Sequence, residues 1–209
     1  YIAGDVRSDG ISDYGFAGHG GLIQLTAQDH INVTTQGVIS ANGGVGDCPD
    51  GCVPPGDGGQ VKLFATNFGS TITINGLIRA NGGDEPGNVI ASAGGGGSIV
   101  VDAEQTLTLG GTIAAVGGKT SPNSDIAGGS GGTIDLRGGN MLYINGGAMV
   151  DASGGDAGNV AWNTSVPTVG ANGGHGGAIA LSGNQIIMAS AASIEARGGK
   201  GGQGSTTST

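Results

Sequence analysis

One eight-residue pattern, Gly-Gly-x-(Ile/Val)-x-(Leu/Val)-x-(Ala/Gly), occurs five times and constrains the fold more than any other feature. It reads GGLIQLTA from Gly20, GGQVKLFA from Gly58, GGSIVVDA from Gly96, GGTIDLRG from Gly131 and GGAIALSG from Gly176, at intervals of 38, 38, 35 and 45 residues. A second alternating patch follows each one: Ile31 and Val33, Ile72 and Ile74, Leu107 and Leu109, Leu142 and Ile144, Ile187 and Ala189. A third closes each repeat, as VISANGG to Gly44, LIRANGG to Gly83, TIAAVGG to Gly118, MVDASGG to Gly155 and SIEARGG to Gly199. Alternation with a period of two marks strands with one buried and one wet face. Patches this short cannot bury their apolar sides alone, so the repeats must stack.

Stacking in register makes nearly uniform inner columns. The first is Ile23, Val61, Ile99, Ile134, Ile179, and the next is Leu25, Leu63, Val101, Leu136, Leu181. On the third strand Ile39, Ile78, Ile113, Val150 and Ile194 align, followed by Ala41, Ala80, Ala115, Ala152 and Ala196, where a small residue fits a narrowing corner. The expected fold is therefore all-β: a parallel β-helix, or β-solenoid, of about five to six turns with three short strands each. Parallel crossovers are overwhelmingly right-handed, so a right-handed helix is expected. Helical alternatives fail because no stretch shows the three-and-four apolar spacing, and each interior glycine would cost a helix about 1 kcal/mol.

Composition narrows the reading further. Glycine fills 49 of 209 positions without a Gly-X-Y period, which excludes collagen. Between repeats, residues 45 to 57, 84 to 95, 119 to 130 and 156 to 175 form glycine-rich loops that leave one side of the solenoid. Crowding there requires backbones that approach closely or take positive φ. A second glycine-rich layer is expected, with disordered loops as the alternative. A net charge of -9 with only 7 Lys and Arg disfavours nucleic acid, and no apolar run is long enough for a membrane-spanning helix. The chain is read as one solenoid domain, residues 1–209: a partial N-terminal turn (1–19), five repeats (20–199) and a polar tail (200–209). No signal peptide is visible, as in a mature secreted chain or an excised fragment.

Cys48 and Cys52 do not match a zinc site or a redox C-x-x-C pair. A small disulfide-closed loop in an oxidising compartment fits them, as would two free thiols on a loop tip. Asn32 and Asn163 begin glycosylation-type triplets.

The glycine-framed starts at Gly20, Gly58, Gly96, Gly131 and Gly176 resemble the GGA-(Ile/Leu/Val) element of polymorphic outer-membrane proteins. More broadly, the repeats over residues 20 to 199 resemble glycine-rich parallel β-helices of bacterial secreted and surface proteins, including autotransporter and haemagglutinin-type passengers. That resemblance implies export, an elongated shape, and a role in adhesion or surface structure.

No chemistry stands out in the outward columns. Thr26, Phe64, Asp102, Arg137, Ser182 and Gln24, Lys62, Val100, Asp135, Ala180 hold no carboxylate cluster; Asp102 and Arg137, one turn apart, are expected to form a surface ion pair. Asp151 and Glu195 fall next to each other on the third strand, a spacing a retaining glycosidase could use, but no aromatic platform accompanies them, since Trp162 lies in a loop. Weak repulsion in water is the simpler expectation, and the chain is read as a non-enzyme. His19 and His175 are too far apart to share a metal within one chain. Loop acids Asp47, Asp50, Asp57, Asp84, Glu85, Asp125 and Asp156 could hold Ca²⁺, although the tandem calcium-solenoid pattern is absent and no cofactor is expected.

The ends carry the functional expectation. Val6 and Ser8 match the third-strand Ile and Ala positions, and Tyr1 and Ile2 would be the remnant of a second strand. After Gly199 no amphipathic helix follows. Solenoid ends normally carry caps, so the expected partner is another copy of the chain, met head to tail through Tyr1, Ile2, Val6, Ile179, Leu181, Ile187 and Ile194. The expected role is a subunit of an extracellular filament or surface layer; the alternative is an adhesin or ligand-binding passenger cut from a longer β-helix.

Overall fold

A computed structural model describes residues 1–13, 16–46, 53–86, 92–121, 126–159 and 170–203. The fold is all-β, and the repeat pattern accounts for its elements. Each coil lays down three strands of six or five, four and three residues. The first coil holds β4 (Leu22–Ala27), β5 (His30–Val33) and β6 (Val38–Ser40); the second holds β7 (Gln60–Ala65), β8 (Thr71–Ile74) and β9 (Leu77–Arg79). Then come β10 (Ser98–Ala103), β11 (Thr106–Leu109) and β12 (Thr112–Ala114), followed by β13 (Thr133–Gly138), β14 (Met141–Ile144) and β15 (Met149–Asp151). The last coil is β16 (Ala178–Ser182), β17 (Gln185–Met188) and β18 (Ser193–Glu195). Ahead of them lie β1 (Asp5–Arg7) and a short antiparallel pair, β2 (Ser12–Asp13) with β3 (Phe16–Ala17).

Like strands pair in parallel to make three sheets. The first runs β4-β7-β10-β13-β16, the second β5-β8-β11-β14-β17, and the third β1-β6-β9-β12-β15-β18. The expected columns of the first and third strands are the observed ones: Ile23, Val61, Ile99, Ile134 and Ile179 are mutual partners, as are Ile39, Ile78, Ile113, Val150 and Ile194. Val6 sits opposite Ile39, and Ile2 bridges to Val33, so the first residues do continue the third and second sheets. In the middle coils the inner aliphatic side chains are completely buried; Leu63, Ile74, Val101, Leu107 and Ile113 have no exposed area. β-Branched and aliphatic residues alternate here because the pleat sends every second side chain inward.

The paired glycines have a packing reason. Ala41, Ala80, Ala115 and Ala152 turn the corner with no exposed area. Their carbonyls accept the N–H of Gly59, Gly97, Gly132 and Gly177 at 2.6–2.7 Å. A Cβ on the preceding residue of each pair, such as Gly58 or Gly96, would strike the alanine carbonyl of the same corner one coil on. A Cβ on Gly97 or Gly132 would strike a glycine carbonyl of the coil before it.

Beyond that corner lies the second layer. Two extended runs per coil alternate along the axis, and their glycines form one continuous chain of hydrogen bonds. Starting from Gly18, the carbonyls are met in turn by the N–H groups of Gly44, Gly56, Gly83, Gly94, Gly118, Gly129, Gly155, Gly174 and Gly199, at 2.8–2.9 Å. Close approach is the reason for glycine here, and positive φ is not. Among the described residues only Gly69 and Gly147 have positive φ, at 87° and 84°, and both sit in turns of the solenoid itself.

Candidate functional site

The final coil differs from the others in exposure. Its columns continue those of the core, yet Ile179, Leu181 and Ile194 are only partly buried, while Ile186 and Met188 remain 46% and 50% exposed. At the opposite end Ile2 and Val6 pack partly against the core, and Tyr1 is 87% exposed.

One expected member of this surface moves. The sequence pattern aligns Ile187 with Leu142, but Leu142 pairs with Ile186, Tyr143 with Ile187 and Ile144 with Met188. Ile187 therefore belongs to the outward column and Ile186 and Met188 to the inner ones, and Ala189 lies beyond the strand. The connection from the first strand to the second is one residue shorter in the last coil: Leu136 and Leu181 are partners, as are Leu142 and Ile186. Three successive apolar residues, Ile186-Ile187-Met188, hide that deletion in the sequence.

The outward columns also depart from expectation in one pair. Asp102 and Arg137 are register partners, but the guanidinium turns along its own strand to Asp135, with Nε donating to Oδ1 at 3.1 Å. Hydrogen bonding and charge from Asp135 raise the Arg137 pKa above its ordinary value, and Asp102 adds a smaller effect. A side chain that reaches an acceptor two residues away on its own strand face has no need to cross to the next coil.

Three arginines follow this rule. Arg7 is held by Asp5, with Nη2 to Oδ2 at 2.7 Å, Arg137 by Asp135, and Arg197 approaches Glu195 at 3.6 Å. The fourth, Arg79, has Leu77 in that position and makes no side-chain hydrogen bond or ion pair among the described residues. The signal was legible: Asp-Val-Arg7, Asp-Leu-Arg137 and Glu-Ala-Arg197 contrast with Leu-Ile-Arg79. Arg79 lines a groove of about 580 Å³ on the outer face of the third sheet, together with Asn81, Thr112 and Asp151.

Asp151 and Glu195 are neighbours in register as expected, and each has an acceptor role. Asp151 Oδ1 accepts the Ser153 N–H at 2.9 Å, and Glu195 Oε1 accepts the Ser193 hydroxyl at 3.0 Å. The described loop acids act likewise: Asp57, Asp84 and Asp156 accept the N–H of Gly95, Lys119 and Lys200 one coil on, at 2.7–2.8 Å, and buried Glu85 accepts from Ser121. No three His, Cys, Asp or Glu side chains converge on a metal-sized site among the described residues. His19 Nδ1 accepts the Asp57 N–H at 2.9 Å, and His175 lies on the same column, its carbonyl taking the Gly131 N–H. Asn32 is half-buried, and its Oδ1 has no partner among the described residues. Cys48, Cys52, Asp47, Asp50, Asp125, Trp162 and Asn163 lie outside the described residues. Among the described residues no helix is long and apolar enough to cross a membrane.

Comparison with protein-family models, curated proteins and solved structures finds no match.

Proposed function

We propose that the chain is a structural subunit of an extracellular filament or surface layer, built by head-to-tail stacking of its solenoid ends, and not an enzyme. The observation that carries this reading is the exposed last coil, whose apolar residues stand on columns that the middle coils bury completely. Fully burying an aliphatic side chain is worth roughly 1.5–3 kcal/mol, so an uncovered coil strongly favours a lid of matching shape. A second copy fits those columns. Its Val6 belongs to the column that Ile194 ends, and its Ile2 to the column that Met188 ends. Its β1 would then add the next strand beyond β18, completing the neighbour's turn with main-chain hydrogen bonds. A contact of this heterologous kind repeats without closing unless a rotation makes a ring. Asp151 and Glu195 on the outer face serve as acceptors within their own coils, which supports a structural role over a catalytic one.

The uniform columns also suit an adhesin or ligand-binding passenger of the autotransporter or haemagglutinin type, in which further coils of the same chain would form the cover. Sedimentation velocity over a wide concentration range, with negative-stain microscopy, separates the two. The filament reading expects growing rods that disperse in Met188→Asp and Ile194→Asp variants of unchanged circular dichroism. A species that stays monomeric at every concentration removes its basis and leaves the passenger reading.

A further inference from the structure

The open groove on the third sheet is lined by residues of β9, β12 and β15, with Asn75, Gly76 and Gly111 just before these strands and Asn81 and Val116 just after them. We propose that this face binds a carboxylate-bearing oligosaccharide, a chain containing uronic acid, with the sugar carboxylate on Arg79.

The charge comes first. Arg79 is exposed, and it alone of the four arginines lacks an acid two residues earlier in the sequence. A planar guanidinium with unused donors is suited to two parallel hydrogen bonds to a carboxylate. Asn81 stands beside it with a fixed orientation: its Oδ1 accepts the Val116 N–H at 2.9 Å, and its own backbone N–H donates to Asn42 Oδ1 at 2.9 Å. The Asn81 amide NH₂ is thus left as a donor at the groove.

The polar groups around this pair favour a sugar over a peptide. Main-chain groups on the floor are consumed along the axis: Leu77, Thr112 and Met149 donate to Gly37, Gly76 and Gly111, and Ala80 to Ala114. An extended peptide would find no strand edge to pair with on this face. Hydroxyl and amide side chains are abundant instead, from Thr35, Asn75 and Thr112, and Leu77 and Met149 provide apolar patches on either side of Thr112. Sugar hydroxyls can donate to and accept from the former while ring C–H faces rest on the latter. The volume of about 580 Å³ has room for a short stretch of chain.

Asp151 sets the polarity of the site. It lies two strands from Arg79, with Ala114 between them in register, a separation of roughly 10 Å from the strand spacing. The acidic unit therefore belongs at the Arg79 end, and a neutral unit toward Asp151.

The test is titration of the purified chain at low ionic strength with trimers of galacturonic and glucuronic acid, a neutral galactose trimer and an acidic peptide, followed by calorimetry and NMR shifts. Saturable binding of an acid trimer is expected, weaker at high salt. Loss of a charge-assisted contact corresponds to about 10-fold or more in affinity, expected for Arg79→Ala, with a smaller loss for Arg79→Lys and tighter binding in Asp151→Asn. Because Arg79 is exposed and unbonded, its variants should keep the wild-type circular dichroism. The proposal is overturned if neither acid trimer saturates, if the neutral trimer binds equally well, if Arg79→Ala changes nothing, or if the acidic peptide binds more tightly than the sugars.

Discussion

Replacing Gly118 by alanine gives the sharpest test of the glycine layer. A Cβ built on Gly118 lies 2.6 Å from the Gly83 carbonyl carbon and closer still to its oxygen, whereas ordinary contact begins at 3.4 Å. The two runs would have to part by roughly 1 Å or more, because both obstructing atoms are backbone. Gly118 donates to the Gly94 carbonyl at 2.8 Å and accepts from the Gly129 N–H at 2.9 Å, all within buried backbone. Losing both leaves buried donors and acceptors unsatisfied at about 1–3 kcal/mol each, against less than about 1 kcal/mol regained from a stiffer unfolded chain. The expected net destabilisation is about 2–5 kcal/mol. Gly4→Ala is the matched control, since nothing lies within 4 Å of its Cβ and its φ is not positive. Guanidinium unfolding followed by far-ultraviolet circular dichroism would read both variants, compared at the first transition because a stack of coils need not unfold in one step. If Gly118→Ala proves as stable as Gly4→Ala, the layer is not close-packed and its glycines need another explanation.

Other expectations follow from the same contacts. Leu107→Ala, at a fully buried position in the middle of its column, should cost about 2–5 kcal/mol in the same denaturation assay. Gly69→Ala has open space around the Cβ but a φ of 87°, so a loss on the order of 1 kcal/mol is expected from backbone strain alone. Asp135→Asn removes the hydrogen-bonded partner of an exposed arginine and Asp102→Asn only a more distant charge; both should change the unfolding midpoint little, with Asp135→Asn the larger of the two.

Much of this architecture could be read from the chain because local and global patterns agree. The first and third strands are bounded by glycine pairs or by an alanine corner, which pins their phase, and a one-residue slip would have turned their aliphatic faces outward. The second strand of the last coil lacks that protection. In Ile186-Ile187-Met188 either phase offers an apolar face, so only the pairing with Leu142 and Ile144 decides. The ion pair of Arg137 shows a different limit: register places Asp102 beside it, but choosing between an acid across the sheet and one along the strand depends on side-chain rotamer. Paired glycines announced close packing without revealing the two alternating runs, since the partners of Gly118 come from segments separated by variable loops. The groove at Arg79 was accessible to the same reading, through a missing acid at Leu77, but its lining comes from successive coils that meet only on stacking.

End-to-end association is tested most directly by the axial geometry of the assembled material, through fibre diffraction or helical reconstruction from electron micrographs. With β1 of one copy seated on β18 of the next, each subunit contributes six strands to the third sheet, which at about 4.8 Å per strand gives a rise near 29 Å with a strong meridional spacing at about 4.8 Å. Filaments whose subunit rise departs from that value, or whose strands run along the fibre and not across it, would contradict the stacking of solenoid ends.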